Sequence, residues 1–178
     1  MGQPELLRVV FTVLFAGITL TCVARLLDGS HRDSYPARHD DVGHAVMSAG
    51  MIAMVLSWTG LLPTPVWVLL FGGQAAFFAV VLMRDQPADP PRNWEHIHHM
   101  VGSIGMLYMV ITINSMAATM SPLAASFGIY FVAYAGWSGL RALQPVRVTA
   151  GGVLARPLLV HGCRALAGGG MAYLLLAS

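Results

Sequence analysis

Two stretches of this chain repeat one pattern of chemically capable side chains. One reads His44-Ala-Val-Met47-Ser48-Ala-Gly50-Met51-Ile-Ala-Met54, the other His99-Met-Val-Gly-Ser103-Ile-Gly105-Met106-Leu-Tyr-Met109. Both fit His-x3-Ser-x-Gly-Met-x2-Met, and an acid, Asp40 or Glu95, stands four residues before each His. Imidazole and carboxylate together suit zinc or copper. Thioethers are soft ligands that favour Cu(I) over harder cations. A degraded third copy keeps His161 and Met171 at the same ten-residue offset, with Ala165, Ala167 and Gly168 in place of Ser, Gly and Met.

Each part of the pattern has two readings. His44, His99 and His161, with His98 beside His99, are either ligands converging from three helices or imidazoles that top their helices at an interface. Asp40, Asp41 and Glu95 either ligate or orient the His on the same face, or sit in a first helical turn that favours acids. The chain has 11 Met. Met47, Met51, Met54, Met106, Met109 and Met171 either line a path for a soft metal or fill an irregular core. On the first reading Met54, Met109 and Met171 form a three-sulfur layer beneath the His layer. Gly50, Gly105, Gly168, Gly169 and Gly170 are expected to let helices approach closely. Arg164, one turn past His161, is expected to pair with Asp40, Asp41 or Glu95, or with a lipid phosphate. His96 points away from the stripe of its helix, and His31 and His39 read as polar-loop residues with no special role. Two cysteines, Cys22 and Cys163, are too few for a disulfide framework or a Cys-based zinc site.

These residues must be positioned by helices. At about 100° per residue, Asp40, His44, Met47, Met51 and Met54 share an arc of about 80°. Glu95, His98, His99, Gly102, Gly105, Met106, Met109, Met116 and Met120 share roughly 120° by the same rule. Acid and His lie at one end of each stripe and Met lies deeper. Ten residues of helix rise about 15 Å, which is about half a bilayer core.

The composition says what surrounds those helices. The 178 residues are 56% apolar and 10% charged, with a mean hydropathy of +0.66. A soluble domain carries about a quarter charged residues, so a soluble α/β enzyme and a disordered tail are both excluded. Net charge is +2, all ten basic residues are Arg, and no basic run exists. A nucleic-acid partner therefore has no electrostatic footprint.

The chain reads as an all-α membrane protein, one transmembrane domain over 1–178. Six spans are expected at about 6–27, 41–62, 66–83, 95–119, 122–140 and 151–177. The first reads as a helix rather than a cleaved leader, because the n-region is weak and no small-x-small site follows. The connections after spans one, three and five carry eight Arg, against only Arg8 in the amino-terminal segment. By the positive-inside rule these connections are cytoplasmic and both termini lie on the other side. The simplest architecture is three helical hairpins in a parallel pseudo-repeat. Every His then lies near the inner leaflet of the plasma membrane.

The whole chain resembles an uncharacterised family of small actinobacterial integral membrane proteins. The residues that carry the resemblance are Asp40-Asp41-x2-His44-x2-Met47-x3-Met51 and His98-His99-x6-Met106-x2-Met109. The family has no assigned activity, so the resemblance implies topology and little function. A weaker similarity, confined to the Met stripes, is to trimeric copper channels with stacked Met triads. The spacing here is Met-x2-Met rather than their Met-x3-Met.

The expected function is copper handling or transport, through a His/carboxylate site at the cytoplasmic face and a Met-lined interior. The alternatives are a zinc-dependent intramembrane hydrolase with Asp40 or Glu95 as general base, a haem b protein ligated by His44 and His99, and a non-catalytic subunit. Membrane lipids are the expected surroundings. Self-association and membership of a larger membrane complex both stay open.

Overall fold

The computed structural model describes residues 5–27, 35–56, 62–84, 90–113, 121–143 and 157–177. They form six α-helices, α1 (Glu5–Leu27), α2 (Tyr35–Val55), α3 (Thr64–Arg84), α4 (Pro90–Ile113), α5 (Pro122–Ala142) and α6 (Pro157–Ala177). The far ends expected for spans two and four, with Met116 and Met120, lie outside the described residues, as do His31 and residues 151–156.

Proline marks five of the six starts, at the first helical residue of α4, α5 and α6 and the second of α2 and α3. Its missing N–H costs nothing where the helix has no acceptor to offer. Ser121 adds a cap to α5, its hydroxyl accepting from the Ala124 N–H at 3.1 Å. These starts correct one expectation. Asp40 and Glu95 are each the sixth residue of their helices and Asp41 the seventh of α2, so none caps a first turn. His39 likewise lies inside α2 rather than in a loop.

Among the described residues, four helices are long and apolar enough to cross a membrane: α1, α3, α5 and the stretch Leu158–Leu176 of α6. This is compatible with a membrane protein. At about 1.5 Å per residue, 21 residues reach about 32 Å, matching a hydrocarbon core of about 30 Å. Leu6, Val13, Leu20 and Leu27 form an exposed apolar stripe down α1. Hydroxyls are turned back onto their own helices. Thr12 donates to the Arg8 carbonyl, Thr19 to Phe15, Thr21 to Gly17, Thr112 to Tyr108 and Ser126 to Pro122, at 2.7–2.9 Å. Such back-bonding satisfies a hydroxyl without water.

The chain forms two compact units, Met1–Ala117 and Ala118–Ser178. In the first, α1 packs on α2, α3 packs on α4, and α2 meets α4. The polar helices α2 and α4 thus lie against each other, with the apolar α1 and α3 packed on them. Arg8 donates from Nε to the carbonyl of Val55, the last residue of α2, at 3.1 Å, satisfying an end carbonyl that has no partner in its own helix.

The buried faces of α2 and α4 repeat with an offset of 55 residues. Asp41 and His96, Gly43 and His98, His44 and His99, Met47 and Gly102, Ser48 and Ser103, Gly50 and Gly105, Met51 and Met106, and Val55 and Val110 are buried at both members of each pair. A similar correspondence links α1 and α3. Phe11 stacks on Phe15 at 5.8 Å, and Trp67, 56 residues on from Phe11, stacks on Phe71 at 5.9 Å.

The second unit is the α5–α6 hairpin. Gly128 and Gly168 allow its close approach. A Cβ on Gly128 would come within 2.7 Å of Leu176, and one on Gly168 within 3.1 Å of Tyr134 and 3.3 Å of the Phe131 carbonyl. Gly50 in the first unit behaves as expected too, with Phe71 at 2.5 Å and Met106 at 2.7 Å. Gly169 departs from the expectation: a Cβ there would meet nothing within 4 Å, because it lies on the exposed side of α6.

Candidate functional site

The site is built where α2 and α4 meet, within the first three turns of each. His44 and His99 hold equivalent places in the two motif copies, and their ring centroids are 4.4 Å apart. His98 lies 6.1 Å from His44 and 5.9 Å from His99 by the same measure. All three are buried, His99 completely. The sequence places them at one helical level, and packing brings them into one cluster.

His99 is gripped on several sides. Phe78 of α3 stacks on its ring at 4.6 Å and 16°. On another side is Gly43, where a Cβ would sit 2.8 Å from Nδ1. Gln74 donates from Nε2 to the Gly43 carbonyl at 3.3 Å, tying that stretch of α2 to α3. The Nε2 of His99 lies 3.7 Å from Oδ1 of Asp40.

The same Asp40 oxygen lies 3.6 Å from Nδ1 of His96. His96 is therefore part of the cluster, buried to 1% exposure and 5.8 Å from the Phe78 ring. The expectation that it points away fails for a physical reason. Packed by α2 on one side and α3 on another, α4 buries about half its circumference, wider than a single stripe.

Asp41 has a different partner. Its Oδ2 lies 3.4 Å from Nε of Arg25 on α1, and both side chains are nearly buried, at 6% and 11% exposure. Glu95 is half-buried on α4. His39 tilts against Phe77 at 5.0 Å.

Below the imidazoles lie Met47, Met51, Met106 and Met109, all 0–3% exposed. Met54 is half-buried. At least Met106 also fills space, since its methyl rests where a Gly50 side chain would be. Ser103 donates to the His99 carbonyl at 2.7 Å. Its counterpart Ser48 is completely buried, and its hydroxyl has no hydrogen-bond partner among the described residues.

The donors are of the right kind for zinc or copper. In a tetrahedral site with bonds of about 2.0–2.1 Å, neighbouring ligand atoms lie about 3.3 Å apart. The two Asp40 distances exceed this by a few tenths of an ångström, and among the described residues no three His, Cys, Asp or Glu are already arranged to hold a metal ion. The haem reading fits less well, since two rings in van der Waals contact leave no slot for a macrocycle between them.

A family model described as a domain of unknown function (DUF5134) matches residues 36–178. The chain belongs to the DUF5134 family. No curated protein and no solved structure matches it. The DUF5134 match takes in both motif copies and every His but His31, and it leaves out α1 with Arg25.

In this DUF5134 protein, His161, Cys163 and Arg164 are half-buried on α6 in the second unit, and Met171 is completely buried there. Sequence reasoning missed His96 as a site residue, and Arg25, Gly43 and Phe78 as neighbours of the site. One signal could have found His96. Carried over the whole helix, the 55-residue offset pairs His96 with Asp41, the acid next to Asp40.

Proposed function

We propose that this protein is a multi-pass plasma-membrane protein that binds and handles a transition-metal ion, copper first. The donors are drawn from the buried His/carboxylate cluster of α2 and α4: His44, His98, His99, Asp40, Asp41 and Glu95. The observation that carries this reading is the meeting of three buried imidazoles, His44, His98 and His99, within 4.4–6.1 Å of one another. Imidazole–carboxylate sets bind copper and zinc tightly, and buried ionisable groups among apolar helices are usually functional. The buried Met residues of the same helices supply soft thioethers, which favour Cu(I) as the ion handled.

In this reading α2 and α4 also cross the bilayer. Packing against each other and against α1 and α3 shields the polar groups that lower their hydropathy. The six helices form three hairpins, with both termini on the non-cytoplasmic side. His161 and Met171 supply the third copy of the motif, and Arg164 binds a lipid phosphate. The equal burial of positions 55 residues apart in α2 and α4 supports the repeat.

The test is elemental analysis and a visible spectrum of detergent-purified protein, beside a His44→Ala/His99→Ala double variant. Near-stoichiometric copper that disappears in the variant supports the reading. Zinc in its place moves the assignment to the hydrolase, with Asp40 or Glu95 as base. No metal in either protein after incubation with copper and zinc sinks it.

A further inference from the structure

Two buried imidazole nitrogens approach Asp40 Oδ1 together, His96 Nδ1 at 3.6 Å and His99 Nε2 at 3.7 Å. We propose that Asp40, His96 and His99 are the ion-binding triad, and that Gly43 and Phe78 are positioning residues that aim His99 at it. This deepens the metal reading above and rests on it.

The orientation of His99 decides which donors can share an ion. Its Nδ1 side is taken up by the backbone of Gly43, where even a methyl group would sit at 2.8 Å. One ring face is covered by Phe78. Its Nε2 faces Asp40, 3.7 Å from Oδ1. His44 touches the His99 ring from the side, at 59° between planes. His96 comes to Asp40 from the preceding turn of α4, held by Phe78 at 5.8 Å. One phenyl ring thus contacts both imidazoles.

Both imidazole nitrogens stand slightly too far from the Asp40 oxygen for a bound ion. The Asp40 separations are a few tenths of an ångström longer than ligand atoms on a tetrahedral zinc or copper(I) ion. The chemical class that fits is a borderline divalent ion or Cu(I), with a fourth position left for water or another ligand. The 55-residue offset agrees with a site on one side of the interface. His96 corresponds to Asp41, whose carboxylate is turned to Arg25.

The test uses the full chain purified metal-free in detergent and dialysed against copper or zinc, with copper(II) electron paramagnetic resonance to count coordinating nitrogens. Three variants are compared with wild type: His96→Gln, Gly43→Ala and Gly50→Ala. Gly50 lies two turns below Gly43 on the same face and is equally crowded, but touches Phe71 and Met106 instead of His99. We expect His96→Gln to bind at least 100-fold more weakly, beyond the roughly 10–100-fold typical of an outer partner. The residual copper(II) signal loses one nitrogen. Gly43→Ala weakens binding at least about 10-fold with the nitrogen count unchanged, and Gly50→Ala keeps wild-type affinity despite lower stability.

Wild type that binds neither metal refutes the proposed function itself. Wild type that binds while His96→Gln matches it in affinity and nitrogen count overturns the triad and leaves the broader reading standing. Equal loss in Gly50→Ala and His96→Gln also overturns the triad, because the loss then reports packing.

Discussion

His44 and His99 stand in equivalent places of the two motif copies, and their rings meet at 4.4 Å across the α2–α4 interface. Around this contact the neighbours answer one another. His98 lies beside His44, and Gly43, the counterpart of His98, lies beside His99. The two halves differ where it matters chemically. One has an imidazole, and the other has a glycine whose missing side chain makes room for the opposite ring.

The Arg25–Asp41 pair holds α1 to α2 with both charges nearly buried. Removing one partner strands the other in a poorly solvated place. Asp41→Asn is expected to destabilise the protein by about 3 kcal/mol, whereas Arg25→Met/Asp41→Leu together costs much less. Denaturation in mixed detergent micelles measures both. A double variant as unstable as the single one would refute the account.

Gly50 and Gly72 make a matched pair. Alanine at Gly50 collides with Phe71 and Met106, whereas at Gly72 nothing lies within 4 Å. Gly50→Ala is expected to cost about 1–3 kcal/mol through overpacking. Gly72→Ala should stabilise α3 by up to about 1 kcal/mol, since alanine loses less backbone freedom in a helix. Thermal unfolding midpoints should move in opposite directions.

The motif serines part company in the same way. Ser103 bonds to the His99 carbonyl, while Ser48 has a buried hydroxyl without a hydrogen-bond partner among the described residues. Ser48→Ala is expected to be neutral or stabilising, and Ser103→Ala to lose about 0.5–1.5 kcal/mol. If Ser48→Ala proves the costlier change, its hydroxyl serves a bound water or ligand.

The Met residues can be tested for chemistry apart from packing. Met51 and Met106 are both completely buried. Leucine is close in volume, so Met51→Leu/Met106→Leu should fold with a penalty under about 1.5 kcal/mol per site. Under the proposed function the variant retains less Cu(I) but the same zinc. Unchanged Cu(I) retention would assign both residues to the core alone.

Much of the architecture was legible in the residues themselves. Low charge and long apolar runs foretold an all-helical chain, and six helices formed. The motif repeat pointed to His44, His98 and His99 because residues at helical spacing share a face whatever the helix packs against. Helix starts were less legible. Prolines, rather than the acids, mark the beginnings of α2 and α4 and carry Asp40 and Glu95 past the first turn.

By itself, then, the sequence determined which side chains share a helical stripe and at what level along it, since both follow from the pitch of the α-helix. Only the tertiary structure decided how wide each buried face is and which groups meet across it. His96 lay outside its stripe, and the packing of α3 and α2 on two sides of α4 put it beside Asp40. Arg25 lay at the end of a different helix, and the α1–α2 crossing brought it to Asp41. Contacts between helices depend on their relative rotation and separation, which one-dimensional periodicity does not encode.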